Sequence, residues 1–245
     1  MKKAFIAISI FYCVDLFAQE ADPIVTDRPT QSAASAVIPK GNLLVEYGFV
    51  YEKVTDDFDN ITLGNFHLRY GLVEGVELRL TQNILQSKNS IIDEKESGLS
   101  PTTLGTKVHL IQENGWMPQA SVIGQVTFNN GDDAFKPGSA AAEFRLNFSN
   151  TLSDKMSLGY NVGIGMPEGD NYTLYSVVLG YLVADNWTVF GEPYGFFQNG
   201  DSDHRFNAGL IYLCKNNLQF DISAGLGLSD ISPDSFVGFG AAIGF

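Results

Sequence analysis

The sequence predicts an all-β protein, an antiparallel transmembrane β-barrel of about twelve strands. Three observations predict this fold. Apolar and polar residues alternate over stretches of about ten residues, short and long connections follow each other in turn, and aromatic residues lie near the ends of the apolar faces. The one long apolar run, Ala4–Val14, is shorter than the roughly 20 residues of a membrane-spanning helix. A bundle of transmembrane helices is therefore excluded.

The first 18 residues are predicted to be an export signal. A basic start, Met1–Lys3, precedes the apolar run Ala4–Val14, and Ala18 supplies a small residue for cleavage. Removal of this signal leaves Cys214 as the only cysteine, so an internal disulfide is excluded. The chain is thus divided into a signal peptide (1–18), an N-terminal periplasmic or plug-like segment (19–41) and a transmembrane barrel (42–245).

The alternating stretches follow one another through residues 42–245. They are 43–53, 60–71, 75–85, 102–112, 118–128, 140–151, 156–166, 172–183, 187–197, 204–214, 217–228 and 235–245. The pattern is clearest in 218–228, where Gln219, Asp221 and Ser223 share one face and apolar residues share the other. A shift by one residue would exchange the two faces, so this alternation strongly constrains strand register.

The connections differ in length on the two sides of the predicted sheet. Connections after even-numbered strands are tight turns, whereas those after odd-numbered strands are longer or more polar, above all Gln86–Pro101 and Asn129–Ser139. Short periplasmic turns and long extracellular loops are typical of outer-membrane barrels. An even number of strands then places both ends of the barrel on the periplasmic side.

The apolar faces are predicted to contact lipid rather than fill a protein core. The polar faces are rich in glycine, which a solvated strand exterior disfavours. A strand of about 11 residues, tilted by about 40°, spans roughly 27 Å, close to the apolar band of such barrels. A soluble lipocalin-like or sandwich protein is the alternative. The aromatic residues expected at headgroup depth are Tyr47, Tyr51, Phe128, Phe148, Trp187, Phe197, Tyr212 and Phe245.

The polar faces are predicted to line the lumen. The charged or titratable residues with this orientation are Glu46, Glu52, His67, Arg69, Glu77, Arg79, Lys107, His109, Glu143, Arg145, Glu192, Arg205 and Asp221. Two interpretations stay open: a water-lined passage whose charges set selectivity, or an ion-pair network that fills a narrow barrel.

Apolar side chains are also predicted inside the lumen. They are Ile111, Ile123, Phe190, Tyr194, Phe196 and Phe236. They could form a site for an apolar solute. Packing against an N-terminal plug or a loop is the slightly favoured interpretation.

No catalytic residue, cofactor or metal site is predicted. The histidines His67, His109 and His204 lack the spacing of metal ligands, and the sequence contains no Gly-x-Ser-x-Gly motif. The formal net charge of −13 argues against a nucleic-acid partner, which would require excess positive charge.

Three short elements near the start occur in a fixed order. Thr26-Asp27-Arg28-Pro29 is followed by Pro39-Lys40-Gly41 and then by a first strand containing Val45-Glu46-Tyr47-Gly48-Phe49. This order resembles the opening of the outer-membrane transporter family of the MetA pathway of phenol degradation. The resemblance implies a barrel over most of residues 24–245 and the passage of small solutes, aromatic ones among them.

The N-terminal motif is expected to contact the lumen wall. Asp27 and Arg28 could bind lumen charges such as Glu46 or Arg69, and Pro29 would stiffen the chain.

The function expected from the sequence is an outer-membrane, porin-like channel or transporter for small solutes, with aromatic and apolar solutes as candidates, acting without covalent chemistry. The first alternative is a structural or partner-binding surface barrel that uses its long extracellular loops. The second is an outer-membrane enzyme acting on lipid. Expected partners are outer-membrane lipid, the solute and the barrel-assembly machinery of a Gram-negative cell, which would recognise the C-terminal strand ending at Phe245.

Overall fold

The computed structural model describes residues 22–245, and its regular elements there are thirteen strands. The strands are β1 Leu43–Lys53, β2 Phe58–Val73, β3 Val76–Asn89, β4 Glu94–Leu99, β5 Thr103–Ile111, β6 Gln119–Thr127, β7 Ala141–Ser153, β8 Met156–Met166, β9 Tyr172–Ala184, β10 Trp187–Gln198, β11 Asp201–Lys215, β12 Leu218–Gly227 and β13 Ser235–Gly244. Within residues 22–245, no helix is long and apolar enough to cross a membrane. The predicted signal peptide and residues 19–21 lie outside the described residues.

Twelve of these strands, all except β4, close into one antiparallel barrel. Each barrel strand pairs with its neighbour along the chain, and β1 pairs with both β2 and β13. The closing register places Leu44 opposite Gly244 and Glu52 opposite Phe236. Closure leaves no open sheet edge, as lipid requires. The prediction of an antiparallel barrel of about twelve strands is confirmed.

The outer surface of the barrel is apolar around its whole circumference. Phe144, Ile222 and Phe239 point outward from β7, β12 and β13 and are 51%, 53% and 52% exposed. Contiguous apolar surface of this extent is far larger than soluble monomers display. At the short-turn end, the rings of Trp187 and Tyr212 stack 4.4 Å apart, in the manner of an interfacial aromatic belt. The barrel is therefore transmembrane.

The prediction of a long loop over Gln86–Pro101 is wrong. β3 continues to Asn89, and β4 returns beside it with Ile84 opposite Leu99 and Asn89 opposite Glu94. Both paired stretches are polar, which places this hairpin above the lipid-facing band. Ile91 and Ile92 lie at its tip and are 74% and 61% exposed.

The expectation that Ile111 points into the lumen is also wrong. The pairing of β5 with β6 shifts between His109 and Ile111, which breaks the alternation at the end of β5, and Ile111 is 43% exposed. A bulge of this kind re-aims the side chains that follow it. The other five predicted apolar residues behave differently: Ile123, Phe190 and Tyr194 are buried inside the barrel, and Phe196 and Phe236 line a cavity there.

Candidate functional site

Residues 22–42, called the lumen segment below, lie inside the barrel. The segment enters at the short-turn end, where the Ile24 N–H donates to the Asn216 carbonyl at 2.7 Å. It leaves at the same end, where Lys40 forms a parallel bridge with Gly71 and the Gly41 N–H donates to the Gly71 carbonyl at 2.8 Å. Between these points the chain rises into the lumen and turns back.

The top of the lumen segment is held by side chains of the barrel wall. The carboxylate of Glu192 accepts hydrogen bonds from the N–H groups of Gln31 at 2.9 Å and Ser32 at 2.7 Å. Asn161 accepts from the Ala33 N–H at 2.6 Å and donates to the Ala33 carbonyl at 3.1 Å. The wall thus supplies the partners that an irregular backbone cannot supply to itself, and this fixes the position of the segment.

The carboxylate of Asp27 is the centre of the ionic contacts between the segment and the wall. It lies 2.7 Å from Arg79, 3.3 Å from Lys107 and 3.4 Å from Arg69. Glu77 binds the same arginines, Arg69 at 2.7 Å and Arg79 at 2.8 Å. The lower cluster, as we name this group, balances three acidic against three basic side chains: Asp27, Glu46, Glu77, Arg69, Arg79 and Lys107.

Burial and charge act in opposite directions on Asp27. Burial raises the pKa of its carboxyl, but Arg69, Lys107 and Arg79 together outweigh burial and hold the pKa well below its ordinary value of 3.8. The carboxylate is therefore ionised whenever the segment is in place at neutral pH. Four wall side chains of the lower cluster, those of Glu46, Arg69, Glu77 and Lys107, are 0% exposed.

Arg28 fastens the segment to β12 and β1. Its guanidinium donates to Asp221 on β12 at 2.9 Å, and its backbone N–H donates to Glu46 on β1 at 3.2 Å. The guanidinium occupies the space that a Cβ would need at Gly48 and at Gly240. Glycine at these two positions lets the arginine lie flat against the wall. The Arg28–Pro29 peptide bond is cis.

A cavity of about 540 Å³ lies above the lumen segment, which forms its floor with residues 27–33. Two groups of paired charges line the wall, Glu143 with Arg145 at 3.0 Å and Arg205 with Glu52 at 3.1 Å and with Asp203. We call them the upper pairs. Their side chains are 13% to 23% exposed, in contrast to the covered side chains of the lower cluster. The upper pairs therefore remain accessible from the extracellular side.

Aromatic rings line the same cavity from β10 and β13. Tyr194 and Phe196 come from β10, and Phe236 comes from β13. Phe196 also borders a second cavity of about 330 Å³ near the β10–β11 turn, which Tyr172 lines as well. The two cavities thus meet at one ring.

The thirteen charged or titratable residues predicted to line the lumen divide by position. Five belong to the lower cluster, and Glu192 and Asp221 bind the lumen segment directly. Glu52, Glu143, Arg145 and Arg205 belong to the upper pairs. His67 lines the cavity, and His109 lies beside Gly75 at the short-turn end. Their role in an open passage stays a prediction.

Sequence reasoning missed the uncharged side chains that hold the segment. Ser32 donates to Ser176 at 2.8 Å, Asn207 donates to the Pro29 carbonyl at 3.3 Å, and Gln219 donates to the Arg28 carbonyl at 3.3 Å. All three wall residues lie on the polar faces of their strands, so the alternation predicts their inward orientation but not their contacts with the segment.

Comparison with known proteins agrees with this fold. Residues 26–245 match the model of the family described as "Putative MetA-pathway of phenol degradation". The chain belongs to this family. The resemblance drawn from the opening residues is thereby confirmed at the level of the family. No curated protein matches the sequence.

Solved porins share the architecture of this family member at low sequence identity. The NanC porin has a TM-score of 0.58 and 9% identity, with 82% of this chain and 98% of that chain covered. The KdgM porin in complex with disordered oligogalacturonate has a TM-score of 0.57 and 10% identity, with coverage of 82% and 99%. The MetA-pathway family member thus has the fold of outer-membrane porins.

Proposed function

We propose that this protein is an outer-membrane channel for small solutes, with aromatic and apolar solutes as candidates, and that its lumen segment closes the periplasmic end. One observation carries the proposal: the segment separates a cavity that opens toward the extracellular side from the short-turn end of the barrel. The family and the porin fold support the same function. The proposal involves no covalent chemistry.

The way in which the segment is held favours a movable closure. Within residues 22–42, Lys40 is the one residue in a β-bridge, and side chains of the wall make most of the other contacts. The hydrogen-bond ladders of the barrel run from strand to strand without the segment. The segment can therefore leave the lumen while the barrel stays intact.

Deletion of residues 24–39 tests the closure. We expect the deletion variant to conduct steadily in planar bilayers, whereas the full-length protein stays closed most of the time. A variant that lacks the hairpin residues 87–96 is the control, because this hairpin lies outside the lumen, and it should behave like the full-length protein. Unchanged conductance in a folded deletion variant would count against a closing role.

Liposome swelling tests the transport itself. The deletion variant should admit small sugars, which do not cross lipid unaided, at rates that depend on solute size. One of the similar porins was solved with an oligogalacturonate, so a barrel of this fold can take up a saccharide. If no solute enters liposomes that contain the folded deletion variant, the channel proposal is wrong.

The hairpin of β3 and β4 favours one second candidate, a barrel that binds an extracellular partner. Its tip exposes Ile91 and Ile92, at 74% and 61%, to the surroundings. If partner binding were the main activity, the hairpin deletion would abolish the cellular phenotype of the protein while flux stayed unchanged.

We also propose that the barrel resides in the cell outer membrane and is inserted by the barrel-assembly machinery. Phe245 directly follows the C-terminal strand β13, is 67% exposed and is available for recognition. Removal of Phe245 should lower the amount of heat-modifiable, folded barrel in the outer-membrane fraction. Normal amounts there would contradict this route.

A further inference from the structure

Three aromatic rings form a continuous row on the lumen side of β9 and β10. The ring centres of Tyr172 and Phe196 lie 6.1 Å apart at 70°, and those of Phe196 and Tyr194 lie 6.3 Å apart at 89°. Edge-to-face contacts of this kind use at most one face of a ring, so a planar solute can still stack on the row. The row runs from the second cavity, near the β10–β11 turn, to the cavity above the lumen segment.

The charges around the row are balanced. Four arginines line the cavity above the lumen segment, and each pairs with a carboxylate. The pairs are Arg28 with Asp221, Arg79 with Asp27, Arg145 with Glu143, and Arg205 with Glu52 and Asp203. An ion that entered would lose hydration without gaining an unpaired opposite charge. A hydroxyl group, by contrast, donates to a carboxylate and accepts from a guanidinium.

The row and the paired charges are joined directly. The hydroxyl of Tyr172 donates to the Glu143 carboxylate at 2.8 Å, and Glu143 in turn binds Arg145. A solute stacked on the row therefore has donors and acceptors beside it, at the edge of its ring.

We propose that Tyr172, Phe196 and Tyr194 form a binding track for a neutral ring that carries hydroxyl groups, and that this ring moves along the track from the extracellular mouth to the floor of the cavity. The inference rests on the proposed channel function for the direction of movement, while the binding itself does not depend on flux. The same chemistry occurs in phenolic rings and in sugar rings.

The chain offers a matched control for the central ring. Phe197 follows Phe196 on the same strand but points outward, where it is 45% exposed and packs near Tyr175. Phe196→Ala and Phe197→Ala therefore remove the same ring from opposite faces of one wall.

The test measures binding to the full-length protein in detergent by isothermal titration calorimetry. Catechol and methyl glucoside represent the two sources of hydroxylated rings, and benzoate and toluene represent a charged ring and an apolar ring. We expect catechol, methyl glucoside or both to bind more tightly than benzoate and toluene. We expect Phe196→Ala to weaken this binding by about three- to tenfold, the range for one aromatic contact, and Phe197→Ala to leave it unchanged.

The outcomes separate the track from the channel. Tighter binding of benzoate or toluene, equal effects of the two alanine variants, or no binding of any ring would each overturn the track, even if the deletion variant conducts. Ring binding that depends on Phe196 upholds the track, even if no solute crosses the membrane, in which case the channel function is wrong.

Discussion

Asp27→Asn is the smallest change that tests whether ionic contacts hold the lumen segment. Asparagine keeps the size of the side chain and removes its charge, while Arg79, Lys107 and Arg69 stay within 3.4 Å of the position. The side chains of Arg69 and Lys107 are 0% exposed, so water does not compensate for the lost carboxylate. Removal of one member of a buried ion pair costs about 3–5 kcal/mol.

This cost falls on the closed state alone, because Asp27 separates from Arg69, Arg79 and Lys107 when the segment leaves the lumen. The lower figure, about 3 kcal/mol, shifts the ratio of closed to open channels by roughly 100-fold. Single-channel recording measures that ratio as the fraction of time spent open. Asp133→Asn, which alters an exposed loop pair with Lys136, is the control and should have no effect. An open fraction within twofold of the unmodified protein would refute the reasoning.

Three further predictions concern Asp27, the upper pairs and the outer surface of the barrel. When the pH is lowered, the channel should stay closed down to about pH 4 and open at lower pH. The paired Asp27 carboxyl has a pKa below 3.8, so the closed state loses this contact only as the pH falls through that lowered pKa. Recordings that show opening near pH 6 would contradict this prediction. Arg145→Glu in the open 24–39 deletion variant should shift the reversal potential in a salt gradient toward cation selectivity, and an unaltered potential would show that Arg145 does not face the passage. Ile222→Lys, at an outward position that is 53% exposed, should lower the free energy of unfolding in lipid vesicles by about 2–4 kcal/mol. An unchanged free energy of unfolding would indicate a soluble fold that does not depend on lipid.

The sequence predicted the barrel well because strand alternation is a local signal. Glu46 and Asp221 could be placed on inward faces from their neighbours alone, since the period of two is imposed by the backbone of each strand. The same signal predicted the outward orientation of Ile222. The closing pairs between β1 and β13 follow from the need to satisfy every backbone group in lipid.

The errors arose where the local signal fails. The polarity of the stretch 86–101 predicts a loop, because its residues lack the apolar–polar alternation that marks the other strands, yet their backbones pair as β3 and β4. The alternation predicts the wrong face for Ile111, because a bulge after His109 shifts the register by one residue and no sequence feature there indicates the bulge.

The contacts of the lumen segment could be predicted only in part. The Thr-Asp-Arg-Pro motif indicated that Asp27 would bind lumen charges, but its partner Lys107 lies 80 positions away, and Ser176 lies 144 positions from Ser32. The wall residues that contact the segment are determined by how the twelve strands close and by how far the segment extends into the lumen. Neither property can be predicted from a short stretch of sequence.

A reversible cross-link between segment and wall tests the central claim most directly. The hydroxyls of Ser32 and Ser176 lie 2.8 Å apart, so cysteines at these positions can form a disulfide when Cys214 is replaced by serine. In the Asp27→Asn background, the oxidised protein should not conduct, and a reducing agent should restore the conductance of the variant. Equal conductance before and after reduction, with the disulfide verified by gel mobility, would contradict the account.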